Sequence, residues 1–319
     1  MSFRVGIDIG GTNIKSAIFS NFGDVRCRYE CGADSFNTNY EKRIESIIEK
    51  LLNGCGATLQ DVVSVGIGCP GIVDSEKKTV EYSCNLGFNS EDFAKKLEED
   101  IKIPVYIEND ANAAVFGEYK YASLNSKDFN SNCSVVLITL GTGLGGGYIL
   151  NGKIQKGFNF GGLEVGHMVI EKGGRQCSCG QKGCFETYAS ATGLINIVKE
   201  VASRYKDSVL HSMLEDGKEI TGDDIFNAVR LKDLAAVEAF NIFIEYLGVG
   251  VSNIVNILQP QCLIIGGGLS TNGSIMLNPL QELLNRFDYA RSLKNRCKLS
   301  ISKIGNYAGV LGAAFLHEI

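Results

Sequence analysis

The sequence has no apolar run long enough to cross a membrane. A spanning helix needs roughly 18 or more consecutive apolar residues, and no stretch of this chain of 319 residues approaches that length. The first residues enter a strand pattern at once, without the charged and apolar regions of a secretory leader. We therefore expect neither a membrane partner nor secretion by that route.

The sequence also has no basic tract. Acidic residues outnumber basic ones by 36 to 31, and the formal net charge is −5. Because nucleic-acid-binding domains carry clustered lysine and arginine, we expect no nucleic-acid partner. Outside one short segment, the cysteines stand singly along the chain, which is typical of a reduced, cytoplasmic protein.

Apolar periodicity predicts a series of strands and helices in a chain whose length suits two domains. The predicted strands are residues 5–9, 14–19, 25–29, 62–68, 105–108, 135–140, 148–150 and 262–265. The predicted helices are residues 40–52, 91–100, a helix after Asp110, one continuous helix over 187–205, a short helix capped at Thr221, and residues 234–258, 278–287 and 305–316.

Residues 164–186 read EVGHMVIEKGGRQCSCGQKGCFE and contain one of only three histidines in the chain. Its candidate metal ligands are one imidazole and three thiols, from His167, Cys177, Cys179 and Cys184. That set suits tetrahedral zinc. The alternatives are three small core residues or a redox pair, but these cysteines lie in a polar, glycine-rich loop. Four protein ligands close the coordination shell, so the predicted zinc is structural and not catalytic.

Two glycine-rich turns each lie between two predicted strands. The first, in DIGGTNIK, combines small residues with Thr12 and Lys15, which suits a phosphate, although a plain hairpin would look similar. It is not a P-loop, because GxxxxGK[ST] is absent. Asp8 lies in the preceding apolar strand, where an unpaired carboxylate is costly. The second turn, GTGLGGG, lacks the following helix that a dinucleotide fingerprint needs.

Asp110 precedes a predicted helix rich in alanine, in the stretch ENDANAA. A helix N-cap is the structural interpretation of this position. A carboxylate at a helix N-terminus also stays ionised and can accept a hydroxyl proton, which suits a general base for phosphoryl transfer. Both roles can coexist. A third glycine turn, at residues 266–268, follows a predicted strand and could simply end it.

The motif H-x9-C-x-C-G-x2-G-C-x-E, preceded by E-x-G-H, resembles the zinc signature of the ROK family (repressors, open reading frames, kinases). ENDANAA and the two glycine turns are also similar to motifs of this family and of the actin-like sugar kinase and Hsp70 superfamily. Three positions depart from the family pattern, with Leu163 in place of Gly, Phe185 in place of Leu and Tyr307 in place of Asp. Asn306 could still cap the final helix.

The resemblance runs almost end to end and implies an α/β fold with two lobes of the actin-like ATPase type and a zinc knuckle. The smaller lobe would be residues 1–118 completed by 306–319, and the larger lobe residues 119–305. The family also implies an ATP- and Mg²⁺-dependent sugar kinase with structural Zn²⁺, cytoplasmic and homodimeric.

The resemblance further implies a site in which Asp110 is the general base. The residues implied to bind the sugar are Gly71, Asn85, Asn109, Asp110, Glu164, His167 and Glu186. Those implied to bind ATP and Mg²⁺ are Asp8, Gly10, Gly11, Thr12, Asn13, Lys15, Thr142, Gly143, Gly145, Gly146, Gly267 and Gly268.

Two rivals come from other classes of protein. A sugar-sensing transcriptional regulator of this family carries a helix-turn-helix ahead of the kinase-like part, and a phosphate loop beginning at Gly10 is expected to leave no room for one. A sugar-binding module without activity is hard to reconcile with Asp110 and both glycine loops.

The sugar comes from resemblance alone. ETYASATGL, CLIIGGGLS and GNYAGVLGAAFL look most like bacterial ROK glucokinases, which implies D-glucose phosphorylated on O6. N-acetylmannosamine is the first alternative. Its 2-acetamido group needs room near Glu164 and Leu163, which Leu163 would narrow. Fructose, mannose and allose are further alternatives.

Overall fold

A computed structural model describes residues 2–33, 39–83, 86–126 and 130–319, and the structural statements below concern those residues. Asn85, a predicted sugar ligand, lies outside them. The strands are β1 (Phe3–Ile9), β2 (Asn13–Ser20), β3 (Val25–Gly32), β4 (Val62–Cys69), β5 (Ile72–Asp74), β6 (Thr79–Ser83), β7 (Phe88–Glu91), β8 (Val105–Asn109), β9 (Ser134–Leu140), β10 (Leu144–Leu150), β11 (Lys153–Ile154), β12 (Cys262–Gly266) and β13 (Lys298–Ile301). The α-helices are α1 (Tyr40–Cys55), α2 (Phe93–Ile101), α3 (Asp110–Asn125), α4 (Glu186–Ala189), α5 (Ala191–Ala202), α6 (Val209–Glu215), α7 (Gly222–Arg230), α8 (Leu234–Leu258), α9 (Gly273–Phe287) and α10 (Ala308–Ala314).

The strands form two five-stranded sheets and one small sheet within the described residues. The first has the order β3-β2-β1-β4-β8, the second β11-β10-β9-β12-β13, and the small one β5-β6-β7. In the first sheet β1 pairs antiparallel with β2 and parallel with β4, and β4 pairs parallel with β8. The carboxyl ends of β1, β4 and β8 therefore lie along the same edge, where parallel strands commonly present functional groups. The α/β class predicted from the sequence is confirmed.

The described residues fall into two compact units. The first unit is Met1–Leu137, Gly147–Leu163 and Asn306–Ile319, and the second is Ile138–Gly146 and Glu164–Gly305. In the first unit, apolar residues of β1, β2, β4 and β8 pack with α1 and α2 in one buried core.

The C-terminal helix α10 lies against β1, β4 and α3 at very short range. A Cβ added to Gly66 of β4 would lie 1.7 Å from the carbonyl oxygen of Ala313, and one added to Gly312 would lie 1.7 Å from that of Ala113. Side chains at these glycines would push the helix away from both neighbours. The close packing thus fixes α3, which begins at Asp110, relative to the sheet.

Local sequence signals located most long elements, but several boundaries differ. Strand β10 begins at Leu144, so Gly145 and Gly146 lie in the strand and not in the predicted turn, and α9 begins at Gly273 and not at 278. The continuous helix predicted over 187–205 is wrong, because Ser190 is extended (φ −85°, ψ 173°) and separates α4 from α5. The hydroxyl of Ser190 accepts from the N–H of Gly193 and caps α5. Asn306 does not cap the final helix, whose N-cap position is Tyr307 without a side-chain hydrogen bond.

Helix α8 is long and apolar enough, by length and composition, to cross a membrane. This differs from the prediction, made from uninterrupted apolar runs, that no segment could do so. More than half of its most apolar window is nevertheless buried inside the protein. It packs against α5, α7 and α9. We interpret α8 as the central core helix of the second unit, because buried core helices can be as long and as apolar as membrane-spanning ones.

Candidate functional site

The first glycine turn joins β1 to β2 and brings Asp8 opposite Lys15 in the strand register. The N–H of Gly10 donates to the carbonyl of Asn13 at 2.9 Å, and the side-chain amide of Asn13 donates to Glu30. Asp8 is only partly exposed. Loss of water around its carboxyl raises its pKa from 3.8 to about 7; the Asp110 charge adds to this rise and the Lys15 ammonium opposes it.

Asn109, and not Asp110, is the N-cap of α3. Its Oδ1 accepts from the N–H groups of Ala111 and Asn112 at 2.9 and 3.0 Å, and its Nδ2 donates to the carbonyl of Gly71 at 3.0 Å. Asp110 is the first helical residue. Its carboxylate is therefore not needed as the cap and can serve the predicted chemistry.

Asp110 lies close to Asp8 at the carboxyl edge of the first sheet. A Cβ added to Gly68, at the end of β4, would lie 3.4 Å from Oδ1 of Asp8 and 3.6 Å from Cα of Asp110. Burial raises the pKa of Asp110, against the N–H of Ala111, which donates to its Oδ1 at 2.9 Å. Two carboxyl groups with raised pKa values in one place are typical of a functional site.

The four predicted metal ligands converge in the second unit. Their nearest ligand atoms all lie within 4.8 Å of one another. The Sγ of Cys177 lies 3.7 Å from Nδ1 of His167, and the Sγ atoms of Cys179 and Cys184 lie 3.6 Å apart. Atoms bound at about 2.3 Å around one tetrahedral ion are separated by about 3.8 Å, so the donor set and its spacing fit zinc.

The thiols of this cluster differ in their surroundings. Burial raises the pKa of Cys184 to about 12, whereas the backbone N–H of Gln181 lowers that of Cys179. Three thiolates this close together would repel one another, so the charged forms need a bound cation to stabilise them.

Glu186 connects the knuckle to the second glycine turn. Its Oε2 accepts from the N–H of Leu144 at 2.9 Å, and its Oε1 lies 4.0 Å from Sγ of Cys177. A Cβ on Gly143 would lie 2.4 Å from Oε2, and one on Gly166 would lie 2.0 Å from the carbonyl oxygen of Leu144. The glycine of E-x-G-H is thus required by close approach to β10, which spacing alone could not reveal.

The rest of the second glycine turn is held by the N-terminus of α5. The carbonyl of Gly141 accepts from the N–H of Ala191, and that of Thr142 from the hydroxyl of Thr192, both at 2.8 Å. Gly145 donates to the hydroxyl of Thr139. Gly267, in the third turn, lies against Leu140 at the end of β9, with φ +80°. The two turns predicted to bind nucleotide therefore meet at the end of one strand.

Comparison with known proteins identifies the family. The sequence model of the ROK family matches residues 4–318 of this chain. The chain belongs to the ROK family. The structure of a ROK family glucokinase from Streptomyces griseus, in complex with glucose and AMPPNP, is similar with a TM-score of 0.83, 31% identity and 99% coverage of both chains. The actin-like sugar-kinase fold predicted from the motifs is thereby confirmed.

Relatives of both classes in the family are similar to this chain. A glucokinase of Halalkalibacterium halodurans is 35% identical over 98% of this chain and 94% of its own length. A xylose repressor of Caldicellulosiruptor bescii is 31% identical over 97% of this chain and 76% of its own length.

The three departures from the ROK pattern have different structural consequences. Leu163 adopts φ +63°, a left-handed conformation that favours Gly and costs a side chain about 1 kcal/mol. Phe185 is fully buried and lies against Gly250 of α8, so it is a packing replacement. The ring of Tyr307 lies 4.1 Å below the guanidinium of Arg28.

Some residues that hold this site in place, without carrying its chemistry, have no motif in the sequence. The hydroxyl of Tyr188 accepts from the N–H of Arg175 at 2.7 Å, and the Arg175 guanidinium lies 4.8 Å from the Tyr188 ring. The Tyr188 ring in turn packs at a tilt against that of Tyr246 of α8, with the ring centroids 4.2 Å apart. These contacts anchor the knuckle loop to the helices. Their only sequence signal is an aromatic residue in a helical pattern.

Proposed function

We propose that this protein transfers the γ-phosphoryl group of ATP to O6 of D-glucose. The observation that carries the proposal is similarity over nearly the whole chain to ROK glucokinases, one of them solved with glucose and AMPPNP. The pair of crowded carboxyl groups at the edge of the first sheet supports a phosphoryl-transfer site.

In this proposal Asp110 accepts the proton of the C6 hydroxyl as the phosphoryl group transfers in line. The raised pKa of Asp110 lies closer to neutral pH than that of an ordinary carboxyl group, which favours its use as a general base. The residues proposed to bind the other sugar hydroxyls, each an acceptor or donor suited to neighbouring hydroxyls, are Gly71, Asn85, Asn109, Glu164, His167 and Glu186.

We propose that ATP binds to the three glycine turns. Backbone N–H groups of the first and second turns would contact the phosphates, together with the side chains of Thr12 and Lys15. Gly267 and Gly268 would lie next to the adenosine. Asp8 would hold Mg²⁺, which supplies charge neutralisation on the phosphates when bound. A cation beside Asp8 would also favour its charged form.

We infer that His167, Cys177, Cys179 and Cys184 hold one structural zinc ion. The convergence of one imidazole nitrogen and three thiols supports this. The zinc would take no part in the chemistry. It would fix the loop between Glu164 and Glu186, in the way that outer contacts of a metal site orient functional side chains.

We further propose two lobes, a homodimer and a cytoplasmic location. The lobes would be residues 1–118 with 306–319, and residues 119–305. The protein would act as a homodimer, which sedimentation can test. It would work in the cytoplasm, and the described cysteines are all free thiols.

The test is ADP release with ATP over a panel of glucose, N-acetylmannosamine, fructose, mannose and allose, comparing kcat/KM values. Glucose 6-phosphate dehydrogenase should detect the glucose product, which shows that O6 is the acceptor. D-xylose, which has no C6 hydroxyl, and 6-deoxyglucose are matched controls that should give no phosphorylated sugar. A value for N-acetylmannosamine more than tenfold above that for glucose would refute the substrate assignment. Failure of every hexose would refute the kinase.

A further inference from the structure

Glu108, in β8, is a buried carboxylate to which the proposed chemistry gives no role. It is 1% exposed, and a charge buried to that degree is costly unless it is paired and hydrogen-bonded. Its Oε2 lies 2.7 Å from Nζ of Lys156. Its Oε1 accepts from the N–H of Asn109 at 3.0 Å and from Nδ2 of Asn112 at 3.2 Å.

One side of this carboxylate holds the turn that presents the proposed sugar ligand and base. Asn109 donates its N–H to Glu108, caps α3 with its Oδ1 and reaches Gly71 with its Nδ2. The backbone N–H of Asn112 donates to Oδ1 of Asn109, and the side-chain Nδ2 of Asn112 donates to Oε1 of Glu108. The backbone of Asn109, and with it the start of the helix at Asp110, is therefore fixed from Glu108.

The other side holds the base of a surface loop. Besides its ion pair with Glu108, the ammonium of Lys156 donates a hydrogen bond to the hydroxyl of Ser75, just after β5, at 2.7 Å. The carbonyl of Lys156 accepts from the N–H of Gly162 at 2.9 Å and so closes the loop of residues 157–162. A Cβ on Gly161 would lie 3.7 Å from Ile72, so the loop lies against β5. The chain leads directly from this loop to Leu163 and Glu164.

We propose that Glu108 and Lys156 are positioning residues for hexose binding. Their ion pair connects the turn of Asn109 and Asp110 to the base of the 157–162 loop. It thereby fixes the position of the turn relative to the loop. Stability alone does not account for such a pair, because apolar or neutral replacements of buried ion pairs are often neutral or stabilising. This inference rests on the proposed hexose kinase function.

Four variants test it by steady-state kinetics and thermal unfolding. Glu108→Gln keeps an acceptor for Asn109 but sets an amide against the Lys156 ammonium. Lys156→Met removes the ammonium, and the double variant Glu108→Gln/Lys156→Met leaves a neutral pair. Glu98→Gln is the matched control, because Glu98 also pairs with a lysine and accepts a backbone N–H, that of Val105, at the opposite end of β8.

We expect Glu108→Gln and Lys156→Met to raise the hexose KM at least about tenfold, since a small misplacement of binding groups has effects of that order. The KM for ATP should change less than about twofold. The double variant should regain the parent's Tm and keep the raised hexose KM. Glu98→Gln should lower Tm without changing the hexose KM.

The outcomes separate the two levels of the proposal. If the parent phosphorylates no hexose, the proposed function fails, and this inference fails with it. If the parent is active but the double variant regains both Tm and hexose KM, the pair is merely structural. The same conclusion follows if Glu108→Gln and Glu98→Gln change the hexose KM equally. Should Glu108→Gln fail to fold, the double variant decides the question alone.

Discussion

Replacing Asp8 with Asn should stabilise the protein at alkaline pH in the absence of Mg²⁺, even though it should abolish phosphoryl transfer. The pKa of Asp8 is raised from 3.8 to about 7 by burial and by the Asp110 charge. The folded protein thus binds this proton more tightly than the unfolded chain. The contribution of Asp8 to the free energy of unfolding is therefore full below about pH 4 and is lost as pH rises to about 7.

The magnitude follows from the size of the shift. A change of that size in the pKa corresponds to about 4 kcal/mol. Because the side chain is partly exposed, water screens it, and we expect about half of this, roughly 2 kcal/mol. Asn keeps the shape and has no charge to bury, so the variant should lack this loss.

Urea unfolding at pH 5, 6, 7 and 8 in Mg²⁺-free buffer measures the effect. A chelator must be left out, because it would also remove the zinc ion proposed to be held by His167 and the three cysteines. The matched control is Asp92→Asn, since Lys96 lowers the pKa of Asp92 and keeps it charged throughout this range. The parent and Asp92→Asn should lose about 1 kcal/mol more than Asp8→Asn between pH 5 and 8, because more than a third of the titration from pH 3.8 to about 7 lies below pH 5. Parallel curves for the parent and Asp8→Asn would refute the reasoning.

Two other predictions concern the base and the metal. Asp110→Asn should lower kcat by about 10²–10⁴-fold with little change in the hexose KM, because Asn109 provides the helix cap. More than about a tenth of the parent's kcat would contradict a general base. In the parent, kcat/KM should fall as pH decreases through the raised pKa of Asp110, since the base must be unprotonated. Cys179→Ser should lose zinc and hexose binding, measured by elemental analysis and calorimetry, whereas Cys262→Ser should keep both; stoichiometric zinc in the Cys179 variant would rule out the knuckle.

The elements that could be predicted from the sequence are those whose signals are local. Helix α1 is predicted by the spacing of Ile44, Ile47 and Leu51, all of which are buried. Helix α8 ends at Leu258, two residues before Pro260, as the position of that proline predicts. The metal cluster could be predicted because all four ligands lie in one short segment, and their spacing limits what they can bind.

The misses came where a short polar signal or a distant neighbour decided the outcome. Ser190 interrupts an apolar pattern that is otherwise helical, and its hydroxyl caps a second helix instead. The small sheet of β5, β6 and β7 depends on pairing between short strands, which periodicity predicts poorly. Leu163 has a left-handed backbone, which the family's usual Gly adopts at no steric cost and a larger residue adopts only at a cost in energy.

The partners of the site residues were the least visible from the sequence, for a physical reason. ENDANAA predicts a base because a carboxylate such as Asp110 is chemically reactive. Asn109 instead has a hydrogen bond to Gly71, just before β5, and Glu108 has an ion pair with Lys156, at the base of the 157–162 loop. Such a residue has no chemistry to recognise, only a fixed position. The motif thus functions as one unit in which Glu108 holds Asn109, Asn109 begins α3, and Asp110 faces Asp8. A loss of activity on changing Glu108 would be taken for instability unless KM and Tm were measured separately.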